Sequence, residues 1–199
     1  MSKTIFITGA AKRIGKEIAL TYKELGWNII IHYNSSKKDA EDLADFINKD
    51  NPDSAKTVKG NLDIKEDVEK ILTGIDGMFP SLDLLINNAS TFYPTPIEEV
   101  SEDHWNKLIG SNLKGPLFLI QGVKEKLKKS NGQIINITDT NLSRGVANYS
   151  IYSAAKAGLE AITRDLQESL PLRLKLMQLL QEQCLNHQML HGQKNKKIK

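Results

Sequence analysis

Residues 4–15 read TIFITGAAKRIG, and this stretch decides the fold. The apolar run at residues 5–7 is typical of a short buried strand. Gly9 follows the strand directly and permits a tight turn, while Gly15 begins a helical pattern and lets the helix pack closely on the strand. The N–H groups at the start of such a helix bind phosphate. A glycine pair also occurs in ordinary strand–helix turns, but its place between the first strand and the first helix favours dinucleotide binding.

Strand-like and helical patterns alternate through the first 170 residues. Short apolar runs occur at residues 29–31, 84–86 and 134–137, with a weaker one at 55–58. Helical patterns occupy residues 14–25, 37–49, 65–78, 101–113, 115–129 and 150–168. Strands that alternate with helices predict a parallel sheet covered on both faces. We therefore expect an α/β fold with a doubly wound, Rossmann-like sheet and five strands in the order 3-2-1-4-5.

The end of the second predicted strand indicates which dinucleotide is bound. Residues 32–36 read HYNSS and contain no acid, although an Asp or Glu usually holds the free ribose 2′-hydroxyl of NAD at this place. Lys12 and Arg13 lie in the turn, and Ser35 and Ser36 are hydrogen-bond donors. Because a 2′-phosphate needs cations and donors, the sequence favours NADP(H) over NAD(H).

Tyr152 and Lys156 lie four residues apart and share one face of a predicted helix. The pKa of a free tyrosine is about 10, and a neighbouring ammonium lowers it toward the range where the phenol exchanges a proton. This spacing is common by chance and becomes specific only in combination with other motifs.

The combination resembles the short-chain dehydrogenase/reductase family over about residues 3–168. The motifs, in the family's order and spacing, are residues 8–15, residues 87–89 (NNA), Asn112, and the pair Tyr152 and Lys156. The resemblance implies that Asn88 and Ala89 border the adenosine half of the cofactor. It also implies that Asn112 supports a water that relays protons and that Lys156 holds the nicotinamide ribose.

Within that family the sequence looks most like pteridine reductases. Arg13 replaces the usual middle glycine of the turn, and residues 87–96 read NNASTFYPTP. Asp139 stands where most of the family has serine, and Asn61 where the family usually has aspartate. The resemblance implies that Phe92 stacks on a pterin, and that Arg13 and Ser90 bond to the polar groups of the pterin.

A mechanism also follows from the resemblance. NADPH would deliver a hydride to a C=N bond of a dihydropterin, and Tyr152, supported by Lys156 and Asp139, would supply the proton. A carbonyl or 3-oxoacyl reductase of the same superfamily is the alternative, as is a catalytically impaired product. Phe92 has an alternative as ordinary loop packing, and Asp139 as a helix cap or surface acid.

The predicted site residues form three groups, and no metal site is expected. The catalytic group is Asn112, Asp139, Tyr152 and Lys156. The cofactor-binding group is Gly9, Lys12, Arg13, Ile14, Gly15, His32, Tyr33, Asn34, Ser35, Ser36, Asn61, Leu62, Asn88, Ala89, Ser90, Thr138, Tyr152 and Lys156. The substrate-binding group is Arg13, Ser90, Phe92, Asp139 and Tyr152.

Composition divides the 199 residues into a body, residues 1–170, and an atypical tail, residues 171–199. The tail holds six of the 27 Lys and Arg but one of the 24 Asp and Glu, so the body is nearly neutral and a nucleic-acid partner is not expected. No apolar run is long enough to span a bilayer, and we expect a cytoplasmic protein.

The tail lacks a recognisable sixth and seventh strand of the family, and we expect it to be helical or disordered. Residues 173–183 can be encoded so that a shifted reading frame gives Ile-Lys-Val-Asn-Ala-Ile-Ala-Pro-Gly-Ala, which looks like the family's sixth strand and its Pro-Gly turn. The hypothesis is a truncated or frame-shifted ending; a divergent tail is the alternative. A homodimer or tetramer is expected by resemblance, unless the altered ending prevents it.

Overall fold

The computed structural model describes residues 2–170 and 172–179. Six parallel strands are present in this part of the chain: β1 (Thr4–Ile7), β2 (Asn28–Tyr33), β3 (Ala55–Lys59), β4 (Leu84–Asn87), β5 (Gln133–Asp139) and β6 (Arg173–Leu179). They form one sheet in the order β3-β2-β1-β4-β5-β6. The predicted order of the first five strands and the doubly wound α/β class are confirmed.

The helices connect the strands where the sequence patterns predict them. They are α1 (Arg13–Glu24), α2 (Lys37–Asp50), α3 (Lys65–Gly74), α4 (Glu102–Ile109), α5 (Gly115–Lys129) and α6 (Ser150–Ser169). A π-helical segment, Gly110–Lys114, joins α4 to α5, and short 3₁₀ turns lie at Ile97–Glu99 and Thr140–Ser143. None of these helices combines the length and the apolar character needed to cross a bilayer.

The sheet is buried on both faces, and β1 shows why. Ile5 and Ile7 belong to one apolar cluster, which also contains buried residues of α1 and α2, whereas Phe6 belongs to a second cluster with buried residues of α3 and α5. Successive side chains of a strand point to opposite faces, so a strand buried on both sides needs an unbroken apolar run.

The carboxyl ends of the strands bring the predicted site residues to one edge of the sheet. The chain crosses over between β3 and β4, so β1 lies between β2 and β4. The turn after β1 therefore faces the segments that follow β2, β4 and β5. Ligands of open α/β sheets bind at such a crossover.

The expectation that no strand follows the last helix is wrong. β6 pairs in parallel with β5 along its whole length, from Arg173 opposite Gln133 to Leu179 opposite Asp139. The sequence from residue 172 to 177, LRLKLM, alternates with a period of two, and Arg173, Lys175 and Met177 are exposed. This period suits a strand, and the pairing also uses the backbone groups of β5 that an unpaired edge would expose.

The expectations for the remainder of the tail, a helical or disordered ending without a seventh strand, concern residues 180–199, which lie outside the described residues. Across residues 2–170 and 172–179, the structure has no group of three or more His, Cys, Asp or Glu side chains placed to hold a metal ion.

Candidate active site

The turn after β1 combines close backbone packing with left-handed residues. Gly9 has φ 62° and Arg13 has φ 51°, in a region where non-glycine residues cost about 1–2 kcal/mol. A Cβ on Gly15 would lie 2.3 Å from the Gly9 carbonyl oxygen and 2.9 Å from Ala10 Cα. Helix α1 therefore approaches the end of β1 more closely than any side chain at position 15 would permit. Ile14, which is exposed, lies between Arg13 and Gly15.

The segment after β4 holds this turn in shape. Thr8 Oγ1 accepts hydrogen bonds from the backbone N–H groups of Asn88, at 3.0 Å, and Ala89, at 2.9 Å. The side-chain amide of Asn88 donates to the carbonyl oxygens of Thr8, at 2.8 Å, and Gly9, at 3.1 Å. Asn88 and Ala89 thus lie against the predicted phosphate-binding turn.

His32 lies beneath the same turn and is buried. Its Nδ1 accepts a hydrogen bond from the Gly9 N–H at 3.1 Å, and its Nε2 lies 3.0 Å from the Gly60 carbonyl oxygen. Because a carbonyl only accepts, Nε2 carries the proton and the ring is neutral. Burial lowers the pKa of His32 to about 4, which is consistent with a neutral ring. Both ring nitrogens are used inside the protein, so His32 supports the turn, and its contact with a cofactor stays a prediction.

An open cavity of about 550 Å³ lies over the first turns of α1 and α2. We call it the cation cavity because Lys12, Arg13 and Lys16 line it, together with Asp39 and Asp42. Lys12 and Arg13 were predicted from the sequence as site residues, whereas Lys16, one helical turn after Lys12, was not.

The other residues predicted to hold a 2′-phosphate follow β2. Asn34 and Ser35 are exposed, and Ser36 is half-buried at the N-cap position of α2. Tyr33 is buried, and its carbonyl oxygen accepts a hydrogen bond from the Gly60 N–H at 3.1 Å. Ser35 and Ser36 therefore lie at a helix N-terminus, where anions bind.

Three further predicted cofactor residues differ in what they can contribute. Leu62 is a buried member of the core, so only its backbone can meet a ligand. Asn61 is half-buried, and its Oδ1 accepts a hydrogen bond from the Asp63 N–H at 3.2 Å. Thr138 is buried, and its hydroxyl has no hydrogen-bond partner among the described residues. Such an unpaired buried hydroxyl fits a polar group of a bound molecule.

Tyr152 and Asp139 meet at the carboxyl end of β5. The Tyr152 hydroxyl donates to Asp139 Oδ2 at 3.0 Å, and Asp139 Oδ1 accepts a hydrogen bond from the Asn141 N–H at 2.8 Å. Both residues are 3% exposed. The carboxylate is thereby oriented on one side by the backbone and on the other by the phenol.

Lys156 lies one turn further along α6 and is also buried. Its Nζ donates to the Ile137 carbonyl oxygen at 2.9 Å and lies 6.0 Å from the centre of the Tyr152 ring. Burial lowers the pKa of Lys156 to about 8, while the charge of Asp139 opposes this shift. A phenol, an ammonium and a carboxyl group are therefore assembled at one place.

Asn112 is buried in the π-helical segment, a feature frequently found at functional sites. Its Oδ1 accepts hydrogen bonds from Ser90 Oγ, at 2.8 Å, and the Thr91 N–H, at 3.3 Å, while its Nδ2 donates to the carbonyl oxygens of Thr91 and Leu108. Ser90 was expected to bond to a substrate; because its hydroxyl hydrogen goes to Asn112, it could do so only through its acceptor lone pairs. The support of a water by Asn112 stays a prediction.

Phe92 lies in an aromatic cluster beside Tyr152. Its ring stacks on Tyr149 with centroids 4.4 Å apart and planes 15° apart, and it makes an edge contact with Tyr152 at 4.7 Å. Tyr149 was not predicted as a site residue, although this tyrosine precedes Tyr152 by three residues, nearly one turn of α6. Since Tyr149 covers one face of Phe92, a stacked substrate would have to use the other face.

Arg13 has different surroundings from Asp139 and Tyr152. It lines the cation cavity, whose lining does not include Asp139 or Tyr152. Contact of Arg13 with a cofactor is thus compatible with its place, and contact with a substrate stays a prediction.

Comparison with known proteins decides the family. The model of the short chain dehydrogenase family matches residues 3–174, which is most of the chain. The chain belongs to the short-chain dehydrogenase family. This short-chain dehydrogenase is thus an oxidoreductase by family, as its tyrosine–lysine pair indicates.

Curated relatives of this short-chain dehydrogenase align with most of its length. A short-chain type dehydrogenase/reductase of Picea abies is 31% identical over 177 residues, which cover 84% of this chain and 65% of that protein. A 3-oxoacyl-acyl-carrier-protein reductase of Staphylococcus aureus (strain Mu50) is 31% identical over 174 residues, which cover 87% of this chain and 70% of that protein. The chain thus spans about two thirds of the length of these relatives. Neither is named a pteridine reductase.

Proposed function

We propose that this short-chain dehydrogenase is an NADP(H)-dependent reductase in which Tyr152 passes a proton to the reduced group. The observation that carries the proposal is the 3.0 Å hydrogen bond between the Tyr152 hydroxyl and Asp139, with Lys156 buried beside them. Buried polar and charged groups cost free energy unless they are paired, and ionisable groups with shifted pKa values cluster at functional sites.

The turn and the cation cavity fit a dinucleotide that carries a 2′-phosphate. The space that a Cβ on Gly15 would fill is occupied by the backbone of the turn, and Lys12, Arg13 and Lys16 supply positive charge next to it. The turn and these cations would hold the phosphates, while Lys156 and the Thr138 hydroxyl would hold the nicotinamide end. When bound, the nicotinamide supplies the hydride.

Each catalytic side chain has a separate role in moving the proton. Tyr152 holds the transferable proton at its hydroxyl oxygen. The ammonium of Lys156 favours the phenolate that remains, because a nearby positive charge stabilises an anion. With its pKa at about 8, Lys156 stays mostly charged at neutral pH. Asp139 orients the phenol through its Oδ2.

The charge of Asp139 favours reduction of a C=N bond. A carbonyl oxygen gains negative charge as it is reduced, and a carboxylate close to it opposes that change. A ring nitrogen is more basic and can take up its proton before the hydride arrives, and a nearby carboxylate stabilises the cation that results. The Phe92 ring adds a flat apolar surface near Tyr152. We therefore propose a dihydropterin-type ring as the substrate.

A 3-oxoacyl thioester is the second candidate substrate, and the comparisons favour it over a pterin. The Staphylococcus aureus relative is named a 3-oxoacyl-acyl-carrier-protein reductase and aligns over 87% of this chain. In this case Tyr152 would protonate the carbonyl oxygen, and the Asp139 carboxylate would have to turn away from it.

Side-by-side assays of NADPH oxidation with dihydrobiopterin and a 3-oxoacyl thioester test the two candidates. If the substrate is a pterin, dihydrobiopterin gives the higher kcat/KM, and Asp139→Ser lowers that value more than the thioester value. A higher kcat/KM for the thioester, unchanged or raised by Asp139→Ser, would favour the second candidate. If neither substrate is reduced and NADPH does not bind, the proposed function is wrong.

We also propose that copies of the chain associate through α4, α5 and α6. Trp105 on α4 and Phe118 on α5 are large apolar side chains that remain 49% and 38% exposed. Light scattering after size exclusion would give the mass of a dimer or tetramer, and a monomer at all concentrations would contradict this proposal.

A further inference from the structure

The cation cavity contains a carboxylate where the proposed function needs an anion to bind. Lys12 Nζ lies 3.0 Å from Asp39 Oδ2, and both side chains are about half exposed, at 55% and 45%. Asp39 belongs to the first turn of α2. This turn directly follows the exposed Ser35 and the half-buried Ser36. The segment that would receive a 2′-phosphate thus places a negative charge on one of its cations.

We propose that Asp39 competes with the 2′-phosphate of NADP(H) for Lys12 and thereby limits how strongly the protein prefers NADP(H) to NAD(H). This inference rests on the proposed function. Lys12 must leave Asp39 or share its charge with the incoming phosphate, and Asp39 repels the phosphate. NAD(H) has a hydroxyl in place of the 2′-phosphate, so neither effect applies to it.

Asp42 lines the same cavity and provides a matched control. It lies three residues after Asp39 on α2, and its Oδ2 is 2.6 Å from Lys38 Nζ. Lys38 does not line the cavity, so the Asp42 pair does not occupy one of its three cations. Neutralising Asp42 removes an equal charge from the cavity without releasing Lys12.

The expected effect is moderate because the Lys12–Asp39 pair is solvated. Exposed ion pairs contribute little, and the competing pair and the repulsion together correspond to a change of about threefold to tenfold in Kd. Added salt screens both contributions, so the effect should shrink as ionic strength rises.

The experiment measures equilibrium binding of NADPH and NADH to the full chain and to Asp39→Asn, at low and high salt, by titration calorimetry. Asp39→Asn should tighten NADPH binding by about threefold to tenfold and change NADH binding by less than about twofold. Adenosine 2′,5′-bisphosphate, compared with AMP, should show the same selectivity without the nicotinamide. In the Lys12→Met background, Asp39→Asn should have a smaller effect, because the two residues are coupled.

Each outcome has one meaning. The inference is wrong if Asp39→Asn leaves the Kd of NADPH unchanged, tightens NADPH and NADH equally, or has no larger effect than Asp42→Asn. Wild-type protein that binds neither dinucleotide would overturn the proposed function and the inference with it. Wild-type binding of NADPH that does not respond to Asp39→Asn would overturn the inference alone. Thermal unfolding of both variants checks that α2 stays folded.

Discussion

The two halves of the proposed site differ in how much water reaches them. At the carboxyl end of β5, Asp139 and Tyr152 are 3% exposed and Lys156 is 2% exposed. In the cation cavity, the Lys12 and Asp39 side chains are 55% and 45% exposed. Hydrogen bonds orient the buried side chains, and burial lowers the pKa of Lys156. Solvent instead weakens the interaction between Lys12 and Asp39. Proton transfer needs the first environment, and binding a charged ligand reversibly is compatible with the second.

The exposed cavity nevertheless stands on buried supports. His32 and Gly15 lie beneath and beside the turn that carries Lys12 and Arg13, and both are buried. We therefore predict large effects on activity or stability for changes to buried groups and small effects for changes to exposed charges, wherever each group lies in the sequence.

The largest effect is expected from Tyr152→Phe, which removes the phenol oxygen and keeps the ring. Activity should fall by about 10³-fold, within the usual contribution of a general acid. Steady-state kinetics measures the loss, and calorimetry should show that NADPH still binds. Tyr149→Phe is the matched control, since it removes a neighbouring phenol from the same aromatic cluster; a loss as large as that of Tyr152→Phe would contradict the assigned role.

The next largest effect is a loss of stability in acid that comes from protonation of His32. Its pKa is lowered to about 4 from a value of about 6.5 in the unfolded chain, so the unfolded state binds the proton first. Neutral His32 therefore contributes about 3 kcal/mol to the free energy of unfolding above pH 6.5, and this contribution is lost as the pH falls toward 4. Urea unfolding at several pH values measures it in the wild type and in His32→Gln. The variant should be less stable at pH 7 and lose less stability in acid, whereas parallel curves would show that His32 does not titrate this way.

Gly15→Ala should destabilise the protein by about 1–3 kcal/mol, because its Cβ would meet the Gly9 carbonyl oxygen at 2.3 Å. NADPH binding should weaken as well, since the turn has to move. Gly74→Ala is the control: its Cβ meets only one methyl group of Val58, at 3.3 Å. Chemical unfolding compares the two, and an equal loss of stability in both would argue against close packing of the turn.

The smallest effect is expected from Glu69→Gln on α3. Glu69 pairs with Lys65 at 3.6 Å, and the two side chains are 62% and 66% exposed. Such a pair on a helix surface contributes about 0.3–0.5 kcal/mol. Thermal and urea unfolding should therefore hardly distinguish the variant from the wild type. A loss above about 1 kcal/mol would mean that exposed charges matter more here than the comparison allows.

Much of the fold was predictable because local patterns agree with it. The apolar run at residues 5–7 serves two buried faces, and the period of the helical segments matches α1 to α6. β6 was missed because its leucines fit a helical face as well as a strand, and only pairing with β5 distinguishes the two. Exposed and buried lysines also look alike in sequence, so the different surroundings of Lys12 and Lys156 were not visible there.

The sequence by itself determined the parallel α/β sheet, the glycine turn, and the helical spacing of Tyr152 and Lys156, because each depends on residues close together in the chain. The tertiary structure decided which distant groups meet: His32 with Gly9, Asn88 with Thr8, and Asp39 with Lys12. These contacts depend on the order of strands and on the crossover between β3 and β4. A hydrogen bond or ion pair requires atoms within about 3 Å, and only the packed sheet brings segments that are separated in the chain so close.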